Sequence, residues 1–279
     1  MAKSYMNKLL STAMVQMNVQ PGEVEENVRT CIQFIEEAAS AGADLILFPE
    51  LVLSGYHLSQ DEFSRAALPE RISDALDKLA VKSREVDAGL VISYPEQQES
   101  GLYITSSFID GKMKQLFSIQ KTMLWGKEKD IFKAGFGNFT PFDTRFGKIA
   151  LLICYDLEFP EPARAAALQG AELIICPSVW SQEGKKRWEI QIPCRALDNL
   201  CFVAGVNRIG EGACGLSQAA APDGSILVKA QEAQETILYA DMDLSLIKKT
   251  RASIPYFHDY PVSFAPQGLS GNSWREKNM

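Results

Sequence analysis

Histidine is scarce in this chain: His57 and His258 are the only two among 279 residues. The six cysteines, Cys31, Cys154, Cys176, Cys194, Cys201 and Cys214, include no Cys-x-x-Cys pair. Structural zinc needs four such ligands at short, defined spacings, so no metal site is expected. Apolar runs stop after about six residues, far short of the roughly 20 that a membrane-crossing helix needs. No charged, apolar leader precedes the first structured segment, so the expected location is cytoplasmic, with free thiols in a reducing compartment. A basic excess is missing as well. Lys and Arg total 28 against 35 Asp and Glu, a formal charge of −7. No basic cluster reverses this locally, and an acidic surface repels phosphates, so nucleic acid is not an expected partner. What is present is the composition of an ordinary folded protein, with 46% hydrophobic, 9% aromatic and 23% charged residues. The length allows one large domain or two smaller ones.

Helices and strands alternate along the chain. Leu9–Asn18 reads as a strand closed by Pro21-Gly22. Val24, Val28, Cys31, Ile32, Ile35 and Ala38 then recur at helical spacing from Glu23 to Ser40, with Gly42 placed for a C-cap. Asp44–Phe48 is almost wholly apolar, the signature of a strand covered on both faces. A helix near Arg71–Val86 leads into a buried-type strand at Leu90–Tyr94. Strands Tyr103–Asp110 and Met113–Ile119 flank a hairpin-like turn at Gly111-Lys112, and Phe142–Arg145 pairs with Lys148–Ile153. A helix at Pro160–Gln169 stops at Gly170, before a strand at Leu173–Cys176. Lys185–Asn199 reads as a helix that Pro193 should bend or interrupt. Strands at Phe202–Asn207, Ser217–Ala220, Ser225–Lys229 and Thr236–Met242 follow, then a helix at Leu244–Ala252. No linker or repeat breaks the series, so residues 5–260 are expected to form one domain. Residues 261–279, rich in Ser, Gly, Asn and Pro, are expected as a tail or an arm onto a partner.

Three strands stop at reactive side chains: LILFPE at Glu50, SIQK at Lys121 and IALLIC at Cys154. Strand ends are where α/β proteins place chemistry. Taken singly, each residue has a plainer reading: a loop glutamate, a surface lysine, a cysteine used as core filler. Together they make a consistent group. A thiol of ordinary pKa is barely ionised at neutral pH and needs a base to attack a carbonyl. A desolvated carboxylate can be that base, and a nearby ammonium can hold the carboxylate and then stabilise an oxyanion. His57 is the only rival base, its plainer role being a loop residue flanking the pocket.

FPEL at Phe48–Leu51, KTMLWGKE at Lys121–Glu128, ICYDLEFPEPAR at Ile153–Arg164 and GAELIICPSVW at Gly170–Trp180 occur in one order. In these segments the chain resembles the nitrilase superfamily of carbon–nitrogen hydrolases, over roughly residues 8–250. CRALDN at Cys194–Asn199 and Asn207-Arg208 add weaker support. The resemblance implies a four-layer α-β-β-α sandwich with mixed sheets. It places the catalytic Glu on Glu50, the Lys on Lys121 and the Cys on Cys154, and a supporting glutamate on Glu128, seven positions after the lysine. An exposed loop is the competing reading of Glu128. The resemblance also implies dimerisation through the helices at Pro160–Gln169 and Lys185–Asn199. The ending IPYFHDYPVSF departs from the arginine-rich one common in relatives.

The expected reaction is hydrolysis of a small carboxamide to carboxylate and ammonia through a cysteine thioester, without a cofactor. The oxyanion would be met by Lys121 and the backbone N–H of Tyr155. Tyr56, Trp125 and Trp180 follow strand ends and either wall the pocket or pack in the core. Many relatives carry Arg at the position of Glu158, and a Glu there resembles the aliphatic amidase-like branch. If Glu158 faces the pocket, it favours neutral or cationic amides. A nitrilase, an N-carbamoyl amide hydrolase, an N-acyltransferase and a non-catalytic binding relative are the alternatives. Cys176, Cys194, Cys201 and Cys214 are expected to pack inside, with Cys176 near the pocket as a second option.

Overall fold

The computed structural model describes residues 9–137, 139–261 and 264. The chain runs β1 (Leu9–Gln16), α1 (Val24–Ser40), β2 (Leu45–Leu47), α2 (Gln60–Ala66), α3 (Pro69–Val86), β3 (Gly89–Gln98), β4 (Gly101–Asp110) and β5 (Gln115–Gln120). It continues with α4 (Glu128–Ile131), β6 (Phe142–Thr144), β7 (Gly147–Leu151), α5 (Pro160–Leu168), β8 (Leu173–Ser178), α6 (Lys185–Asn199) and β9 (Phe202–Asn207). The last elements are β10 (Gln218–Ala220), β11 (Ile226–Lys229), β12 (Thr236–Asp243), α7 (Ser245–Ser253) and α8 (Tyr256–Asp259).

Two six-stranded sheets result, ordered β12-β1-β2-β3-β4-β5 and β11-β10-β9-β8-β7-β6. Each has three parallel strands at its centre, β1-β2-β3 and β7-β8-β9, with antiparallel strands outside them. The period-2 alternation of side chains assigns the two faces. In β2, Leu45 and Leu47 enter the core between the sheets, while Ile46 packs under the outer helices with Val28, Ile35 and Leu79 of α1 and α3. In β8, Leu173 and Ile175 face the other sheet, while Ile174 meets Ala163 and Ala166 of α5 and Ile192 of α6. Strands buried on both faces explain the unbroken apolar runs in the sequence. The fold is the four-layer α-β-β-α sandwich. Among the described residues, no helix is long and apolar enough to cross a membrane.

Several boundaries differ from the sequence expectation. The strand expected at Met113–Ile119 starts only at Gln115, because the Asp110 carboxylate accepts the N–H groups of Lys112 and Met113 and draws them into the turn. The turn therefore spans residues 111–114, with Lys114 at φ +53°. Pro193 does not interrupt α6: buried Trp188, Ile192, Arg195 and Ala196 anchor the helix on both sides of it. Packing outweighs the lost hydrogen bond. Helix α2 was not expected, although its capping box of Ser59 and Glu62 is visible as Ser-x-x-Glu. Cys194 does not pack inside as expected. It is half-buried beside Asp198, off the buried face of α6. His258 is exposed beside Asp259. Apart from Pro261 and Phe264, the expected tail lies outside the described residues.

Candidate active site

Lys121 follows β5 directly, whereas the chain has already left the sheet ladder when it reaches Glu50 and Cys154. Both departures are tight turns. Leu51, next to Glu50, has φ +50°, and Cys154 itself has φ +47° at the start of a short 3-10 helix, Cys154–Glu158. A left-handed conformation in a residue with a Cβ costs roughly 1–2 kcal/mol, so neighbouring bonds must hold it. Asp156 supplies them. Its Oδ2 accepts the N–H of Ile153 at 3.1 Å, and its Oδ1 accepts those of Thr122 at 3.2 Å and Met123 at 2.7 Å. One fully buried carboxylate thus ties the cysteine turn to the segment after Lys121. Burial pushes Asp156 up to about 7, opposed by the Met123 N–H and then by Lys121.

The Lys121 ammonium is fully buried between two carboxylates, donating to Glu50 Oε1 at 2.8 Å and to Glu128 Oε1 at 2.7 Å. Glu128 starts α4 and is buried, so it is not a solvated loop residue. It also accepts the Tyr56 hydroxyl at 2.5 Å and the Trp125 N–H at 2.8 Å. Glu50 Oε2 accepts the Val179 N–H at 2.9 Å, and the Cys154 thiol lies 3.8 Å from the Val179 carbonyl oxygen. Val179 therefore touches both the thiol and the carboxylate, and the three sequence-selected groups converge.

Their electrostatics follow from burial and neighbours. Burial raises the Glu50 carboxyl, with Lys121 pulling it back. Burial alone would lower Lys121, but the neighbouring carboxylates Glu50 and Glu128 outweigh it and leave the amine well above its usual value. The Cys154 thiol is pushed well up by burial and then by Glu50, against the pull of Lys121. Burial thus works against ionisation of both the thiol and Glu50, while the two carboxylates favour the ammonium form of Lys121.

Only the thiol of this group reaches open space. Cys154, 7% exposed, lines a cavity of about 290 Å³, while Glu50 and Lys121 sit behind it. Tyr56, Trp125, Tyr155, Glu158 and Trp180 all line the same cavity, as does His57. The Tyr155 ring packs edge-on against Trp125, with centroids 4.9 Å apart. Cys176 lies beneath the turn, its thiol 3.8 Å from the Cys154 carbonyl oxygen. Among the described residues, no group of three or more His, Cys, Asp or Glu is arranged to hold a metal ion.

Four residues of the site escaped the sequence reading. Asp156 stands inside the quoted CYD motif, so its signal was available. Val179 acts through its backbone, which no side-chain pattern reveals. Asn207 accepts the Trp180 N–H at 2.8 Å and donates to the carbonyls of Trp180 and Gly215, fixing the cavity wall. Arg187 enters the cavity from α6.

With this geometry in place, the comparisons with known proteins are decisive at the family level. The family model for carbon-nitrogen hydrolase matches residues 11–252. The chain belongs to the carbon–nitrogen hydrolase family. This hydrolase is 32% identical over 258 residues to a protein of Pseudomonas protegens named for a hydrolase in the pqqF 5′ region, covering 90% of this chain and 89% of that one. Saccharomyces cerevisiae Nit3, described as a member of the nitrilase superfamily, superimposes with a TM-score of 0.82 at 28% identity, covering 91% and 97%. A Glu-to-Gln mutant of the amidase from Nesterenkonia sp. AN1, captured after Michael addition of acrylamide at its active-site cysteine, superimposes with a TM-score of 0.77 at 27% identity, covering 88% and 98%. The protein is thus an enzyme of the nitrilase superfamily acting on carbon–nitrogen bonds.

Asp156→Asn would turn an amide NH₂ toward one of three buried N–H groups. The expected loss is about 1–3 kcal/mol of stability, the usual penalty for unsatisfied buried polar groups, read from the denaturant midpoint. An unchanged midpoint would show that the turn does not need the carboxylate.

Proposed function

We propose that the enzyme hydrolyses a small carboxamide to a carboxylate and ammonia through a thioester on Cys154, within one domain of residues 5–260. The observation that carries this is the buried Lys121 held between Glu50 and Glu128 behind a thiol that faces an open cavity. The thiol is neutral at rest, so its deprotonation accompanies attack. Glu50 takes the proton as sulfur bonds to the carbonyl carbon, and the carbonyl electron pair moves to oxygen. Lys121 and the Tyr155 N–H, at the start of the 3-10 helix, stabilise that oxyanion. Glu50 then delivers its proton to the leaving nitrogen, and ammonia departs. A water deprotonated by Glu50 attacks the thioester, and the returning proton restores the thiol. Glu128 keeps Lys121 in place and, through its bonds to Tyr56 and the Trp125 N–H, links the ammonium to the cavity wall. The cysteine-bound adduct in the Nesterenkonia amidase supports Cys154 as nucleophile.

The six cysteines are free thiols in the structure, which fits the reducing cytoplasm proposed for this enzyme. A homodimer is proposed across α5 and α6, where Ile190 and Leu197 are exposed. Light scattering should then give twice the chain mass of 30.9 kDa, or a higher even multiple if dimers assemble further, and a monomer at micromolar concentration would count against it.

Cys154→Ala is expected to lower ammonia release from small amides by at least about a thousandfold, and mass spectrometry of the wild type should find an acyl adduct on Cys154. Release at the wild-type rate would overturn the mechanism. Acid formed from an amide but not from its nitrile would support an amidase, and the reverse a nitrilase. The pH profile tests Glu50 separately. Its carboxyl must be ionised to act as base, and burial raises its pKa, so activity is lost as pH falls through that raised value. The acid limb of kcat/KM should therefore lie above about 4.3, the value for an unperturbed glutamate, and Glu50→Gln should abolish turnover.

A further inference from the structure

The cavity over Cys154 is lined by three carboxylates, Glu158, Glu183 and Glu211, and by one guanidinium, that of Arg187. Glu158 is the most firmly placed of the three. The buried Arg195 donates from Nε to the Leu157 carbonyl at 3.0 Å and from Nη2 to the Glu158 carbonyl at 2.7 Å, fixing the backbone on either side. The Glu158 side chain is only 15% exposed. Its Oε1 lies 3.5 Å from Arg187 Nη2, long against the roughly 2.7–2.9 Å of a charge-assisted hydrogen bond.

The same Arg187 guanidinium sits 5.4 Å from the centroid of the Trp125 ring, inside the range of about 6 Å for cation–π attraction. Its side chain is 47% exposed. The wall of the cavity thus already holds a cation between a carboxylate and an aromatic ring, and that cation is tethered loosely enough to move into water. Glu211, by contrast, is engaged by the buried Arg208 at 2.9 Å.

We infer that Glu158 and Trp125 form a subsite for a positively charged end of the substrate, with Arg187 filling it when no substrate is bound. The preferred amide then carries a protonated amine at the end of a short chain. This rests on the amide-hydrolase reading above. Glu158 and Cys154 are the two ends of one 3-10 helix, about 8 Å apart along its axis at about 2.0 Å per residue, so one small molecule can reach both. Burial raises the Glu158 carboxyl, with Arg187 and then Arg195 opposing. That direction fits a carboxylate whose counter-charge is incomplete, which a substrate ammonium would supply. A substrate ending in a carboxylate would meet the like charge of Glu158 at this subsite.

The test is binding to the Cys154→Ala protein, measured by calorimetry with three probes: an ω-ammonium alkanamide, its methyl-terminated isostere and its ω-carboxylate counterpart. The ammonium probe should bind at least about tenfold tighter than the isostere. Adding Glu158→Gln should cut that ratio severalfold. Adding Arg187→Ala, at a half-exposed position that does not endanger folding, should raise it by removing the internal competitor. A ratio near one overturns the subsite, and so does a fall in the ratio with Arg187→Ala. Tightest binding of the carboxylate probe, lost with Arg187→Ala, would reassign Arg187 as an anion anchor and also overturn it. Ammonia release by the wild type separates the two readings. Turnover of the neutral amide without cation preference refutes the subsite alone. A binding preference without ammonia release from any amide leaves the subsite standing and refutes amide hydrolysis.

Discussion

A fully buried ammonium is the constraint around which the site is arranged. An isolated lysine at the position of Lys121 would shed its proton, because desolvation of a charge costs several kcal/mol. Two carboxylates at 2.7 and 2.8 Å prevent this, and they bring a surplus negative charge of their own. That surplus is spread over neutral donors: the Val179 N–H on Glu50, and the Tyr56 hydroxyl and Trp125 N–H on Glu128. The result is a carboxylate that burial makes more basic than one in water, with Lys121 opposing that shift, beside the turn that carries the thiol. Removing the ammonium would leave two like charges facing each other in a dry place.

The sandwich supplies the rigidity this arrangement demands. Glu50 follows β2, the middle strand of one parallel trio, and Cys154 follows β7, at the border of the other. Each trio is clamped between the inter-sheet core and an outer helix layer, so the strands offer little freedom at their ends. The turns at Leu51 and Cys154 are then held in the left-handed region by their surroundings, and Asp156 connects the second turn to the loop that carries Lys121. Strain at the nucleophile is sustained by hydrogen bonds from a neighbouring segment, a common arrangement where backbone geometry serves chemistry.

Much of this was legible in the sequence. The apolar runs LILF and IALLIC announce strands covered on both faces, and Glu50 and Cys154 stand within three residues of where β2 and β7 end. The aromatic residues that line the cavity, Tyr56, Trp125 and Trp180, stand a few positions past strand or motif ends. Other features were harder to read for physical reasons. Pro193 argues locally against a continuous α6, and only the packed face formed by Trp188, Ile192 and Ala196 overrides it. The β5 boundary depends on which N–H groups the Asp110 side chain captures. Cys194 looked like core filler until the rotation of α6 placed it beside Asp198.

By itself the sequence determined the order of most elements, the buried character of the central strands and the choice of Glu50, Lys121 and Cys154 as candidates. Those properties reside in local periodicity and in residue types, which need no third dimension. Tertiary structure alone decided that the three groups meet and that Val179 bridges two of them through its backbone. It also decided that Glu128 is buried rather than solvated, and that Arg187 stands between Glu158 and Trp125. Each of these is a distance between segments far apart in the chain, fixed by how the two sheets pack and not by any pattern along it.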